Sequence, residues 1–437
     1  MKSQVIFLFI IALNINFHYL QAQNQNDTLT LSLDNIVNLA IKQSSAAKYA
    51  QNQNMNRYWR YQNFKTRFRP VLSLDGDLPN YTHSTTPVTQ PDGGIEFRQV
   101  SNLETSAELS LRQSIPLLGT YISASTSLIR IQDFKKNSTD FSGSPFKIGV
   151  YQPIFAYNWM KWYKKTEPLY YEEAQRNYIE TIEEISLRAT RRFFRYLKVQ
   201  TNYNLAKNNL KNSQDNLKIA KVKKKLGKIS ENDFSRIQLS VYNAKKALNQ
   251  ATMQLKNADF ELKKYIGLEQ AKNIELETPL NMLFFTVNTE KAIKEAVANR
   301  KETPRYKRRL INAERELDKA KKNSGLSATL SANYGVSNSA AQYTGIYDNP
   351  EQQRELSLNL SIPILDWGKS ESQVKLAESN RDLVRYDVEQ DRKEFKREVQ
   401  VQVEQFNLLE DQIKTVKEAD KVAENGYKIA LKKFQNG

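Results

Sequence analysis

The side chains that ordinarily carry out chemistry are nearly missing from this sequence. None of its 437 residues is cysteine, so disulfides and thiolate metal sites are excluded. Past the N-terminal apolar segment the single histidine is His83, between Thr82 and Ser84 in a stretch read as a loop. One imidazole without a thiol builds no transition-metal cluster, no nucleophile–base–orienter triad and no imidazole acid–base pair. A solvated loop residue is the expectation for His83. The paired acids Glu172-Glu173 and Glu183-Glu184 are adjacent on helical patterns. Neighbours on a helix diverge by about 100°, so these carboxylates do not converge on a substrate. No glycine-rich phosphate loop occurs. The expectation is a protein that is not an enzyme and uses no cofactor and no metal.

The formal charge of +17 would ordinarily suggest nucleic acid. The N-terminus argues otherwise. MKSQVIFLFIIALNINFHYLQAQ has one lysine, an apolar run from Val5 to Leu13 and a small residue before Gln23. This reads as a secretory leader over residues 1–22, cleaved after Ala22; the run is too short for a membrane anchor. With no cysteine at the cleavage site, a bacterial lipid anchor is not expected either. An exported chain meets no nucleic acid. Its basic groups at Arg191-Arg192, Lys223-Lys224-Lys225 and Arg305 to Arg309 are read as solvated helix faces or contacts to acidic partners and lipid head groups.

Two periodicities dominate the rest. Leu103, Thr105, Ala107, Leu109 and Leu111 alternate with Glu104, Ser106, Glu108, Ser110 and Arg112. Ala328 to Tyr334 and Leu356 to Ile362 alternate in the same way. Such strands, apolar on one face and polar on the other, fit a transmembrane β-barrel with a wet lumen, and also a half-exposed sheet in a soluble protein. The leader and the stretches Pro79 to Gly94 and Tyr343 to Gln353, read as loops, favour the barrel. The second periodicity is helical. Pro168 to Leu226 runs 59 residues without an internal Gly or Pro, roughly 90 Å of helix. After Gly227 the residues Phe234, Ile237, Val241, Ala244, Leu248, Ala251, Leu255, Ala258, Leu262 and Tyr265 keep a three-four alternation, predicting an antiparallel coiled-coil hairpin. An earlier amphipathic helix, capped by Ser32 and marked by Ile36, Val37, Ala40 and Ile41, is expected to continue through Tyr49 and Trp59 to about Phe68.

The strand–helix unit occurs twice. Pro153 to Gly227 and Pro363 to Gly437 both span 74 residues, offset by 210. Ile182, Ala189, Tyr196, Tyr203, Leu210 and Leu217 mark the first seam; Val399, Phe406, Ile413 and Tyr427 fall at matching places, with Asp420 the polar exception. Ile36 and Tyr49 precede Ile293 and Tyr306 by 257, so the second half begins with a helix from Ala292 that passes Tyr306 to Asn323–Gly325. The first copy carries 257 − 210 = 47 extra residues, read as one more hairpin, Leu103 to Gln113 and Tyr121 to Ile131 about SIPLLGT.

Several motifs occur in this order. They are LTLSLDNIVNLAIKQS near the start, Ser361-Ile362-Pro363-Ile364-Leu365-Asp366-Trp367-Gly368 at the strand end, and Leu226-Gly227, Asn232-Asp233 and SRIQLSVYNAKKAL at the tip. With them the chain resembles the TolC-like outer-membrane efflux proteins over nearly everything after the leader. Ala156-Tyr157-Asn158-Trp159 departs from the pattern by lacking its glycine.

The resemblance implies an α+β membrane protein: outer-membrane β-barrel strands plus long antiparallel coiled-coil helical hairpins forming a periplasmic α-barrel, in two internal repeats at 23–288 and 289–437. It implies a homotrimer in outer-membrane lipid, extending into the periplasm, that works with a periplasmic adaptor protein and an inner-membrane pump. Its task would be the passive exit of small molecules or proteins in tripartite efflux or type I secretion. It places a periplasmic gate at the tips, with Gly227, Asp233, Phe434 and Gly437 at matching positions. Asp233 also reads as an ordinary first-turn acid at a helix start. Two readings stay beside the duct: a periplasmic coiled-coil adaptor and an exported structural or binding protein. The returning helix of the first hairpin takes 266 − 227 = 39 residues, so an equivalent second hairpin would end near residue 437 + 39 = 476. The chain is therefore expected to be a fragment that forms no heat-resistant trimer by itself.

Overall fold

The computed structural model describes residues 29–268, 274–279 and 284–436. The leader expected over 1–22 and the tip glycine Gly437 lie outside the described residues. The chain contains two compact units, each described by itself. One combines the described residues up to Ala47 with Ile185 to Pro279; the other combines Lys48–Glu184 with Phe284 onward.

In the first unit a short parallel pair, β1 (Leu29–Leu31) and β7 (Ile274–Leu276), joins segments far apart in sequence. Three-residue strands carry no readable period, so this pair was not expected. Ser32 caps α1 (Leu33–Gln43) as anticipated, its Oγ accepting from Asn35 N at 3.3 Å. Ile36 and Ala40 are fully buried with Phe193, Leu262 and Ile266. α3 (Trp159–Lys225, 67 residues) and α4 (Glu231–Ile266) run antiparallel. Arg195 meets Glu261 at 3.1 Å near the root, and Lys224 meets Glu231 at 2.7 Å beside the turn. Gly227 makes that turn at φ +67°, a backbone state an L side chain rarely adopts. Every seam position of α4 is buried or half-buried, Ala251, Ala258 and Leu262 most completely. On α3, Ala189 and Tyr196 are buried, while Ile182, Tyr203, Leu210 and Leu217 are half-buried.

The helix expected to run unbroken to Phe68 stops at Ser44, in the first unit, and restarts as α2 (Ser45–Thr66), most of which belongs to the second unit. Ser44 has ψ 146°, and its Oγ accepts from Ala47 N at 3.0 Å, so the serine begins a new helix. The later helix divides likewise, at Arg300-Lys301, into α5 (Thr289–Asn299) and α6 (Glu302–Asn323). α3 begins at Trp159, nine residues before the expected Pro168, with Asn158 Oδ1 accepting from Lys161 N at 3.1 Å. α7 (Lys369–Asn436, 68 residues) begins 210 residues after α3. α2 and α6 are each 22 residues long and begin 257 apart.

The sheet of this unit contains β2 (Val71–Asp75), β3 (Asn80–Thr89), β4 (Ile95–Ile115), β5 (Thr120–Asp133), β6 (Ser138–Ile154), β8 (Ser327–Ala340) and β9 (Glu351–Ser361). Its order is β2-β4-β5-β6-β8-β9, with β3 beside β2 along the same flank of β4. All pairings are antiparallel. The stretch expected as a loop from Pro79 to Gly94 is therefore mostly strand, because its threonines and tyrosine suit an extended edge. His83 lies in β3 opposite Ser101, exposed as expected but not in a loop. The predicted extra hairpin is β4 and β5 about the turn at Gly119, and it is built into the middle of the sheet.

Around α7, Phe395, Val399 and Val403 form a small core with Val287, Ala292, Ile293 and Ala296. Val399 is buried and Ile413 half-buried, whereas Phe406 and Tyr427 are exposed. Replacing the fully buried Leu262 on α4 with Asp should cost several kcal/mol, because it buries an unpaired charge. Met253→Asp, on the exposed face of the same helix, should change the denaturant midpoint little.

Candidate functional site

Side-chain alternation makes the sheet two-faced. Across the strands one row reads Leu72, Leu111, Ala124, Ile148 and Tyr334; the next reads Ile122, Val150, Ala332 and Leu356. The opposite face carries Ser73, Ser110, Ser125 and Lys147, then Arg112, Ser123, Gly149, Asn333 and Glu355. On that face Arg112 meets Asp75 at 3.4 Å, Ser73 and Ser110 share a 3.1 Å hydrogen bond, and Asn333 donates to Glu355 at 3.0 Å. These short polar groups satisfy one another and leave their outer sides to water. Glycines thin the wall here: a Cβ on Gly335 would lie 2.6 Å from the Phe146 carbonyl oxygen. Hydroxyls, amides and both signs of charge make a wetted wall. None of this arrangement aims a nucleophile and a base at a common point.

A belt of ion pairs ties the helices of the same unit together. Arg308 forks onto Glu173 at 2.7 and 3.3 Å while stacking over Tyr170 at 4.1 Å. Burial opposes the Arg308 charge, but the hydrogen bonds and charge of Glu173 more than offset it and raise its pKa. Lys301 meets Glu180 at 3.1 Å, Arg309 pairs with Asp391, and Trp162 Nε1 donates to Asp318 at 2.8 Å. Arg57, Lys301, Arg305 and Arg308 line a cavity of about 310 Å³ with Glu173. Reading Arg305 to Arg309 as a solvated face was therefore wrong for Arg308 and Arg309. Their acids lie 135 and 82 residues away, beyond any helical period. Arg192 likewise stacks on Tyr265, 4.0 Å from the ring centre. Glu172 and Glu173 diverge as expected, Glu172 turning to Arg176 at 2.7 Å.

Of the four tip positions, Gly227 and Asp233 fall within one turn. Ser230 Oγ accepts from Asp233 N at 3.1 Å and donates to the Asp233 carboxylate at 2.6 Å, a reciprocal cap on α4. Lys224 sits 4.4 Å from the Phe234 ring centre. Phe434 falls in the last turn of α7, and its side chain lies outside the described residues. Among the described residues no group of three or more His, Cys, Asp or Glu side chains could hold a metal ion. No helix among them is long and apolar enough to cross a membrane.

Residues 292–437 match the family model for outer membrane efflux proteins. The chain has no match among curated proteins. Among solved structures it is similar to the outer membrane protein VceC of Vibrio cholerae, with 12% identity, a TM-score of 0.62, and coverage of 93% of this chain and 86% of that one. A membrane protein from Pseudomonas aeruginosa gives 14%, 0.61, 93% and 84%. The CmeC outer membrane channel of Campylobacter jejuni gives 14%, 0.55, 91% and 76%. At such identities the likeness concerns the fold, strands and long helices together.

Two variants probe the belt. Arg308→Ala leaves Glu173 unpaired and should cost about 3 kcal/mol in denaturant unfolding, partly recovered by Glu173→Gln in the same chain. Glu167, almost buried beside Arg60, has its pKa raised by burial against the pull of Arg60, Arg57 and Arg67. The folded state then binds its proton more tightly than the unfolded chain. Stability from this group is complete below the ordinary carboxylate value and falls as pH rises through the raised one. Glu167→Gln should be at least as stable as the parent at neutral pH and lose that advantage in acid, as thermal unfolding at the two pH values would register.

Proposed function

We propose that the chain belongs to the TolC-like outer-membrane efflux proteins, as the family match over residues 292–437 supports, and that it is the passive exit duct of a tripartite efflux or type I secretion system. Three copies share one β-barrel in the outer membrane, polar sheet face inward, and their helical hairpins form a tube in the periplasm. An inner-membrane pump supplies the energy through a periplasmic adaptor, so the duct itself needs no catalytic group. The observation that carries this reading is the sheet. One face is polar along the rows from Ser73 to Lys147 and from Arg112 to Glu355, and the other, apart from charges such as Arg130 and Arg354, exposes leucine, isoleucine and tyrosine to whatever surrounds it. A coiled-coil adaptor would have the hairpin without that sheet.

Within this reading the two halves are an internal duplication. The equal lengths of α2 and α6, and the 210-residue step between the starts of α3 and α7, support it. Gly227, Asp233, Phe434 and Gly437 mark the periplasmic gate, with Asp233 serving both as helix cap and as acidic partner across the closed tips.

The protein should fractionate with the outer membrane and open ohmic pores in planar bilayers. Recovery as a soluble or inner-membrane protein would favour the adaptor instead. Asp233→Ala should raise the pore's conductance; unchanged conductance alongside a loosened tip would leave Asp233 as a cap alone.

A further inference from the structure

Among the described residues the sheet leaves two backbone edges unpaired, one along β2 and β3 and one along β9. Seven strands occupy six places, since β2 and β3 share one flank of β4. Five successive antiparallel pairings link those places, so the first and last strands point in opposite directions. Copies joined head to tail, β9 of one against β2 of the next, therefore continue the antiparallel alternation without a fault. An odd number of places would force a parallel pair at every junction.

Each edge has an open stretch beside a guarded one, the guards being Asp75 and Pro87 on one edge and Glu351, Arg354 and Glu355 on the other. Natural sheets protect free edges with charge, proline or bulges, because an open row of N–H and C=O groups invites pairing. Val71 to Leu74 and Leu356 to Ser361 contain neither charge nor proline. Their leucines stand on the same face and are open, Leu74 73% and Leu356 75% exposed. Side chains so placed continue the apolar row across the junction once the edges meet.

We infer that the partner for each edge is a second copy of this chain, and that every copy contributes six strand places to the shared barrel, with the β4–β5 hairpin part of its wall. The inference rests on the trimeric duct proposed above: three copies of six places give eighteen strands. Barrels of about that number leave an open aqueous channel rather than a lumen plugged by side chains. The junction is heterologous, the kind that closes into a ring when its rotation allows.

The native absence of cysteine makes the test clean. Single cysteines along Val71–Asp75 are combined with single cysteines along Glu351–Ser361, and the membrane-assembled protein is oxidised and run on non-reducing denaturing gels. A ladder of covalent dimers and trimers is expected for neighbouring positions. Cysteines at Ser123, Ser125 or Ser127 of β5, combined with the same β9 set, should give no ladder. Ser73→Cys with Ser110→Cys should close within one chain, since those hydroxyls lie 3.1 Å apart. A ladder from β5 to β9, or failure of the within-chain bridge, would show that the outer strands leave the wall and would overturn the count of six. Native mass spectrometry of the same samples separates the premises. A trimer without β2–β9 linkage sinks the strand count alone, whereas absence of any multimer sinks the duct assembly and the count with it.

Discussion

The described residues of its own unit leave the apolar face of the sheet uncovered, and the rest of that unit's architecture follows from this. Leu72, Leu74, Leu109, Leu111, Ile148, Tyr334, Leu356, Leu358 and Leu360 are all exposed on one side. In water each would forgo the roughly 25 cal/mol per Å² that burial of apolar surface returns. In the proposed duct a bilayer would remove the penalty, and it would also fix which face must be polar, because strand side chains alternate without slack. A one-residue slip in any pairing would turn serines and Glu355 toward the uncovered side. The register from β4 to β9 departs from a simple ladder only between Ser125 and Ser127 and between Gly143 and Phe146.

With so much apolar area committed outward, the helices of the same unit hold together by other means. Their apolar core near α7 is small, and Arg–carboxylate pairs, with Arg308 stacked over Tyr170, join α3, α6 and α7. Tyr61 lies 4.5 Å from Tyr171 with the rings nearly parallel, and Arg67 covers Trp159 and Tyr163. Half-buried charge pairs contribute little net stability compared with apolar packing, but removing one partner is costly. Such a bundle is exacting about partners while remaining modest in strength. The α3–α4 hairpin relies instead on a seam of leucines and alanines that needs no distant partner, Ala251 and Ala258 among its most buried positions.

That difference explains what could be read from the sequence. The α4 seam and the strand alternation are local periodicities, and both appear in the structure at the residues that display them. The Ser32 cap was legible because its signal lies within three residues. Ser44 interrupts a pattern whose periodicity runs on past it, so the break between α1 and α2 was hidden. β3 was hidden because His83, Ser84, Thr85 and Thr86 resemble loop composition while serving as an exposed edge. The belt could not be read at all: Glu173 and Arg308 are brought together by the fold, and nothing near either residue marks the other. For the tip, spacing located Gly227 and Asp233 beside the turn, but the two-way bond with Ser230 is a matter of geometry.

Parity constrains how such a sheet can grow. Four strand places separate α2 from α3, while two separate α6 from α7. Every antiparallel crossing carries the chain to the opposite end of the sheet. An even number returns it to the end from which it left, where α2 and the start of α3 meet through Tyr61 and Tyr171 and through Phe64 and Tyr163. One added strand would deliver the chain at the far end, and α3 would begin with nothing to pack against. Two are the smallest addition that keeps both helices in place. The turn that makes this possible, at Gly119, is held by the element that follows: Asn158 Nδ2 donates to the Pro116 carbonyl oxygen at 2.9 Å, while its Oδ1 caps α3. The same side chain therefore closes the extra hairpin and starts the long helix, so neither can be repositioned without the other.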